Sequence, residues 1–114
     1  MESTRQQKVG RLLQKELGTY FQQHQRDLVA GKMITVTQVR ISPDLGVAKA
    51  YLSIFPSENS GEALEIIRSH NAAVRNYIGR KVKNQLRIVP EFVYYLDDSL
   101  DYIENIDNLL KEDE

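Results

Sequence analysis

Residues 33–55 read MITVTQVRISPDLGVAKAYLSIF and contain two strand-like runs joined by a short turn. The first run, Met33–Ile41, is rich in β-branched residues, and in the second, residues 46–55, apolar and polar side chains largely alternate. Between them, Ser42-Pro43-Asp44-Leu45-Gly46 places Pro at the second turn position and Gly at the exit. This stretch therefore predicts two antiparallel β-strands.

Helical periodicity flanks the strand pair on both sides. In residues 4–23 the apolar residues recur at helical spacing and predict an amphipathic helix, followed by a polar connection over residues 22–32. After the loop Ser57-Glu58-Asn59-Ser60, which offers good N-cap residues, a second helical stretch runs to about Asn84. Its middle, Ser69-His70-Asn71, consists of mediocre helix formers, so we expect a break there and two shorter helices.

The remaining elements are a third strand and a last helix. Residues 86–96 (LRIVPEFVYYL) predict the strand, and Pro90 inside it favours a position at the sheet edge. Apolar residues at helical spacing after Asp98 predict the helix. A right-handed crossover then makes the third strand parallel to the second, which lies at the centre. The sequence thus predicts an α+β fold of order α-β-β-α-α-β-α, with a three-stranded mixed sheet and helices packed on one face.

The composition limits the class of protein. A chain of 114 residues is long enough for one independently folded domain. The absence of cysteine excludes disulfides, thiolate metal sites and cysteine nucleophiles, and fits a reducing cytoplasm. No apolar run is long enough to cross a bilayer, and the first residues lack the apolar core of a signal peptide. We therefore expect a cytoplasmic protein without a membrane contact. We also expect it to be a monomer.

Charge is segregated along the chain. The net charge is −1, yet residues 1–96 carry 14 Lys or Arg against 8 acids, whereas residues 97–114 carry one Lys against 8 acids. A basic body of this kind indicates an anionic partner, and the acidic end indicates a solubilising or competing segment. We accordingly expect a binding domain at residues 1–97 and an acidic helix or tail at residues 98–114.

The densest positive charge lies in residues 68–87, which contain six Lys or Arg and no acid. Such a cluster is unfavourable in a free protein, and RNA phosphates are the usual anions that neutralise it. The first helix carries a second basic stripe. A solvated surface is the alternative explanation for both. The candidate nucleic-acid-binding residues are Arg5, Lys8, Arg11, Lys15, Arg75, Arg80, Lys81, Lys83 and Arg87.

Motifs of catalysis are missing from the sequence. His24 and His70 stand alone, without the spacing of metal ligands, and no phosphate loop or nucleophile elbow occurs. Asp97 and Asp98 could hold magnesium, but a helix-capping role for one of them is simpler. We expect no catalytic residue, no metal and no cofactor. Three strand tyrosines could either stack on bases or pack in the core: Tyr51, Tyr94 and Tyr95.

Several blocks of the chain together resemble the ribosome-binding factor A family. They occur in order over residues 5–110, and each block alone is weak. The blocks are Ile34-Thr35-Val36-Thr37, Val39-Arg40-Ile41-Ser42-Pro43-Asp44-Leu45, Ala48-Lys49-Ala50-Tyr51, Val74-Arg75, Ile78-Gly79 and Leu86-Arg87-Ile88-Val89-Pro90-Glu91-Phe92.

The resemblance implies a type II K-homology-like domain without catalysis or cofactor. It further implies a cytoplasmic ribosome assembly factor that binds the immature 30S subunit and its 16S rRNA during late maturation, with small-subunit ribosomal proteins as further partners. The Gly-x-x-Gly loop of strand-gripping K-homology domains is absent from the sequence. The family's Ala-x-Gly kink between the helices aligns near His70-Asn71-Ala72 and is spelled differently.

Three alternatives remain open at this point. The chain could be a general RNA-binding protein or translational regulator of the same fold. It could instead be an interaction protein whose acidic C-terminal helix binds a basic ribosomal protein. A metal-dependent ribonuclease that uses Asp97 and Asp98 is the least favoured of the three.

Overall fold

The computed structural model describes residues 3–97 of the chain. The predicted last helix and the acidic segment, residues 98–114, lie outside the described residues. The elements in chain order are α1 (Thr4–Val29), β1 (Met33–Ile41), β2 (Val47–Phe55), α2 (Ser60–Ser69), α3 (Asn71–Val82) and β3 (Glu91–Leu96).

The three strands form one mixed sheet in the order β1-β2-β3. Strand β1 pairs with β2 antiparallel, and β2 pairs with β3 parallel. Alternate strand residues, among them Ile34, Ala50 and Tyr94, are buried against the apolar faces of the three helices. The predicted α+β fold with a central second strand and helices on one face is therefore confirmed for residues 3–97.

Helix α1 is longer than the sequence predicted. Residues 22–32 were expected to be a polar connection, but the helix continues to Val29 because Leu28 and Val29 bury their side chains in the core. Ala30 ends it in the left-handed conformation, and its N–H donates to the Gln25 carbonyl. Gly31, with a φ of +84°, follows. Leu28 and Val29 lie two turns after the buried Phe21, and their burial outweighs the polar composition of the residues between them.

Strand β3 is shorter than predicted and begins at Glu91, so the assignment of residues 86–90 to the strand was wrong. Pro90 has no N–H to donate, and the pairing starts where the Glu91 N–H donates to the Gly46 carbonyl at 2.9 Å. The predicted edge position of this strand is confirmed.

The break between α2 and α3 lies at His70, as the sequence predicted. His70 leaves the helical conformation, with φ −98° and ψ 13°. The Tyr94 hydroxyl donates to Asn71 Oδ1 at 3.0 Å, which ties the first residue of α3 to the sheet. Burial raises the pKa of Tyr94 above its ordinary range, so this hydroxyl remains a donor at any physiological pH.

The turn between β1 and β2 is held by its own side chains. The Ser42 hydroxyl and the Gly46 N–H both donate to Asp44 Oδ1, at 2.7 and 3.0 Å. These hydrogen bonds, that of Ser42 first, hold the pKa of the Asp44 carboxyl below its usual range. Leu45 takes the left-handed conformation, with a φ of 61°. The strands are thereby fixed in register next to the start of β3.

Helix α1 covers the outer edge of β1 through its glutamines. Gln6 Nε2 donates to the Ile41 carbonyl (2.8 Å), Gln14 Nε2 donates to the Val36 carbonyl (3.1 Å), and the Ile34 N–H donates to Gln25 Oε1 (3.1 Å). An edge strand presents unpaired backbone groups, and these side chains satisfy several of them. The helix is therefore fixed along the strand at three points.

Gly10 allows this close approach. A Cβ atom at Gly10 would lie 2.9 Å from the Val39 carbonyl oxygen, a backbone atom that cannot rotate away. A Cβ atom at Gly18, further along the same helix, would have no heavy atom within 4 Å. The two glycines thus differ in what surrounds them.

We expect Gly10→Ala to lower the free energy of unfolding by about 1–3 kcal/mol, because the added methyl group forces α1 away from β1. Gly18→Ala should raise it by roughly 0.5–1 kcal/mol, because alanine is the better helix former and has room. Urea denaturation followed by circular dichroism measures both values. Equal effects of the two substitutions on the free energy of unfolding would show that α1 does not approach β1 closely at Gly10.

Candidate nucleic-acid interface

All nine candidate cations are exposed. Within residues 3–97 none of them forms a salt bridge, and the ion pair that is present joins Arg68 to Glu65 at 2.6 Å. Arg68 also donates to the Tyr94 carbonyl at 2.8 Å, so this member of the basic stretch 68–87 is held by the protein itself. The other cations of that stretch are exposed and form no salt bridge within residues 3–97, so they can meet an external anion.

The fold brings part of the first-helix stripe next to the segment after α3. Arg5 and Lys8 line a cleft of about 510 Å³ together with Gln85 and Leu86. Arg5 also lines a neighbouring cavity of about 210 Å³ that includes Arg87. Cations that are more than 80 residues apart in sequence, Arg5 and Arg87, therefore border the same depression.

The start of α1 is electrostatically unusual. Ser3 and Gln6 form a capping box, but the first turn contains no acidic residue and instead carries Arg5. The N-terminal end of a helix is its positive end, so a cation there is unfavourable by a few tenths of a kcal/mol to about 1 kcal/mol. The same combination of cations and helix dipole favours a bound anion.

The α3 cations are held more favourably. Arg80 and Lys81 lie in the last turn, where positive charge complements the helix dipole. The Lys81 ammonium lies 5.5 Å from the ring centre of Tyr77, and Arg75 donates to the Val89 carbonyl at 3.2 Å. Lys83 caps the helix and is exposed. These cations are therefore partly oriented before any ligand arrives.

The structure does not bring Arg11 and Lys15 to this depression. They line a separate groove of about 700 Å³ between α1 and the edge strand β1, with Gln14 and Thr35 among its other residues. Arg11 and Lys15 are therefore separated from the cations at the start of α1.

Sequence reasoning missed two further cations, Arg40 and Lys49. They are exposed and face each other across β1 and β2. The alternation of apolar and polar residues in β2 had already placed Lys49 on the side away from the core. This alternation was the one signal in the sequence that could have identified Lys49 as a surface cation. Of the three strand tyrosines, Tyr94 is buried, whereas Tyr51 and Tyr95 stack on each other on the sheet face opposite the helices.

The residues considered for catalysis have structural partners. The His24 and His70 rings hydrogen-bond to carbonyls one turn back, at 2.8 and 2.9 Å. The Asp97 carboxylate accepts from the Thr37 hydroxyl, and the Asp97 N–H donates to the Leu52 carbonyl at 2.7 Å. Across residues 3–97 no three His, Asp or Glu side chains lie close enough together to hold a metal ion. Asp98 lies outside the described residues.

None of the helices in the described part of the chain is long and apolar enough to cross a membrane.

The family model of ribosome-binding factor A matches residues 5–110 of this chain. A relative of that name from Cytophaga hutchinsonii is 44% identical over 112 residues, which cover 98% of this chain and 84% of the relative. A relative of that name from Brevibacillus brevis is 40% identical over 113 residues, which cover 98% of this chain and 91% of the relative.

Solved structures share the fold. The crystal structure of ribosome-binding factor A from Thermus thermophilus superposes with a TM-score of 0.68 at 21% identity, covering 80% of this chain and 94% of that one. A second similar structure is a homology model of the Thermus thermophilus factor, fitted into the cryo-electron microscopy map of its complex with the 30S subunit. It superposes with a TM-score of 0.61 at 20% identity, covering 76% of this chain and 89% of that one.

We expect Arg5→Glu to raise the free energy of unfolding of the free protein by about 0.3–1 kcal/mol at low ionic strength, because an acid suits the first turn of α1. The matched control is Arg26→Glu in the last turn of the same helix, which should lower it by a similar amount. Thermal or urea unfolding at low and high salt measures both. A stabilising effect of Arg26→Glu, or a destabilising one of Arg5→Glu, would contradict this electrostatic description.

Proposed function

The chain belongs to the ribosome-binding factor A family, and on that premise we propose that it is a ribosome assembly factor. It binds the immature 30S subunit and its 16S rRNA during late maturation and rRNA processing. The observation that carries the proposal is the set of nine exposed cations without an acidic partner in residues 3–97, on a chain that matches the family along residues 5–110.

The chemistry of these cations fits structured RNA. Lys and Arg that neutralise phosphates release condensed counterions, and this release drives the association. Side chains cannot reach the base edges in the deep, narrow major groove of an A-form helix, so such a surface reads the position of phosphates and the shape of the RNA. The two neighbouring cavities, one lined by Arg5 and Lys8 and the other by Arg5 and Arg87, supply these contacts together with the end of α3 at Arg80 and Lys83.

The protein acts by binding and not by catalysis, and it needs no cofactor. The support is that Asp97, His24 and His70 are occupied by hydrogen bonds to the protein's own groups.

A reducing cytoplasm, where ribosomes assemble, suits a chain without cysteine. Small-subunit ribosomal proteins are further partners. The acidic residues 98–114 form a segment distinct from the binding domain at residues 1–97 and compete with RNA for its cations.

A general RNA-binding protein or translational regulator is the second candidate function, because the same cations would serve it. The two functions differ in which particles the protein accompanies. An assembly factor prefers the RNA arrangement of a precursor and can shift that equilibrium only by its differential affinity.

We expect Arg80→Glu, Lys81→Glu and Lys83→Glu together to weaken rRNA binding without unfolding the domain, because all three side chains are exposed. If the wild type neutralises about 5 to 8 phosphates, the logarithm of its affinity falls with that of salt at a slope of roughly −4 to −7, and the variant has a shallower slope. Filter binding at several salt concentrations measures the affinity for rRNA and its salt slope for the wild type and the variant.

Arg26→Glu is the control for this experiment, because Arg26 lies in the last turn of α1 and is not among the candidates. Its salt slope should match that of the wild type. An unchanged affinity of the triple variant would show that this end of α3 is not the anchor.

We expect the tagged protein to cosediment with small-subunit precursors and to be depleted from mature ribosomes. The Arg80, Lys81 and Lys83 triple charge reversal should move it to the top of the gradient. Gradient sedimentation of cell extracts followed by immunoblotting measures the distribution. Equal association with precursors, mature ribosomes and messenger RNA would instead support the general RNA-binding function.

A further inference from the structure

The sheet face opposite the helices carries a second group of cations and aromatic rings. Its central rungs are formed by cross-strand partners: Arg40 faces Lys49, and Gln38 faces Tyr51. Tyr51 in turn faces Tyr95 of β3. None of these residues is buried, so no helix of residues 3–97 covers this part of the sheet.

The cation pair is unfavourable in the free protein. Like charges directly opposite each other on neighbouring strands destabilise a sheet. Neither Arg40 nor Lys49 forms a salt bridge within residues 3–97. The acid in the three strands is Glu91, which pairs with Val47, the first residue of β2. An anion bound between Arg40 and Lys49 would relieve their repulsion.

Arg40 is held in position for such an anion. In the amide orientation that satisfies both groups, the Gln38 oxygen accepts from Arg40 Nε at 2.7 Å and from a terminal nitrogen at 3.3 Å. The guanidinium edge that remains can still donate to a phosphate, and Lys49 adds a second charge.

The rings beside this pair are arranged as a platform. The Tyr51 and Tyr95 ring centres are 5.5 Å apart with 25° between their planes, and Tyr95 is 38% exposed. Aromatic side chains on an open sheet face are used by RNA-binding domains to stack unpaired bases. Neighbouring Tyr94, in contrast, is 2% exposed and belongs to the core.

The distance between cations and rings suits a nucleotide. Lys49 and Tyr51 are two residues apart on β2, which is about 7 Å along a strand. Arg40, Lys49 and Tyr51 also line a cleft of about 490 Å³ that extends over Val47 to Pro43 at the turn. A phosphate and the base attached to it by one sugar have a comparable separation.

We propose that this face is a binding site for unpaired RNA nucleotides, with phosphate at Arg40 and Lys49 and a base stacked at Tyr51 and Tyr95. The site is separate from the helix-side cations, and the identification of its RNA as rRNA rests on the proposed function. Together the two surfaces would hold a structured region through its backbone and an adjacent single strand through its bases.

The acidic residues 98–114 are the other occupant that charge alone allows. Their apolar residues, such as Leu100 and Ile103, would need an apolar surface. The middle of this face is instead formed by charged and amide groups beside two rings, a combination that matches phosphate and base.

A fluorescent probe tests the site in the full chain. The protein has no tryptophan, so Tyr95→Trp introduces a single indole on the platform. Titration with a 12-nucleotide single-stranded RNA of mixed adenine and uridine should quench its fluorescence, because a stacked base lies against the ring. A blunt RNA duplex of the same length should leave the fluorescence unchanged.

Two sets of variants assign the contacts. Adding Arg40→Gln and Lys49→Gln to the probe chain should weaken oligonucleotide binding and reduce the salt slope by about 1 to 2. Tyr95→Leu, assayed by competition, should lose roughly 5- to 150-fold in affinity. Phe55→Leu, at an exposed ring far from these cations, is the control and should change the affinity less than twofold. Circular dichroism checks that each variant is folded.

The outcomes separate this site from the proposed function. When Arg80→Glu, Lys81→Glu and Lys83→Glu are added to the probe chain, its binding to precursor particles should fall. The single-stranded RNA should still quench its fluorescence. Absence of quenching, or quenching unaffected by the Arg40 and Lys49 substitutions, overturns the site and leaves the proposed function intact. Shielding of the indole from acrylamide in the free chain, relieved by Asp101→Asn, Glu104→Gln and Asp107→Asn, would also overturn it and identify the acidic segment as the occupant.

Discussion

At Gly10 the backbone of helix α1 comes so close to strand β1 that any side chain would meet the Val39 carbonyl oxygen, at 2.9 Å for a Cβ atom. Gln6, Gln14 and Gln25 bind the backbone of the same strand along its length. An edge strand with unpaired polar groups is thereby closed without a fourth strand. The apolar face of a 26-residue helix is then set against the sheet in one register.

This placement of α1 determines where the charges lie. The first turn of the helix is brought beside residues 85–88, so that Arg5 and Lys8 border the same region as Arg87. With α1, α2 and α3 all on one face, the opposite face keeps Arg40, Lys49 and the two stacked tyrosines exposed. One layer of helices thus separates the helix-side cations from the open sheet face with its cations and tyrosines.

The sequence predicted the features that local rules determine. Strand β1, the turn at Pro43, the break at His70 and the central position of β2 follow from alternation, turn chemistry and connection handedness. The end of α1 at Val29 and the start of β3 at Glu91 depend on burial against distant segments, which local composition does not reveal. For the same reason the sequence did not single out Gly10, where a Cβ atom would meet the Val39 carbonyl oxygen. The nine candidate cations remain a prediction, and the separation of Arg11 and Lys15 from Arg5 and Lys8 depends on how α1 packs on the sheet.

Directed cleavage of rRNA from a tethered iron chelate would test most directly whether the helix side faces 16S rRNA. The chain has no cysteine, so Asn84→Cys, beside Lys83, and Ser57→Cys, in the loop after β2 at the other end of the sheet, each offer one attachment site. Both positions are exposed. In complexes with precursor 30S particles, hydroxyl radicals from position 84 should cut 16S rRNA at a few neighbouring nucleotides, and those from position 57 should cut weakly or elsewhere. Strong cleavage from position 57 with none from position 84 would contradict the account, because it would turn the basic helix side away from the RNA.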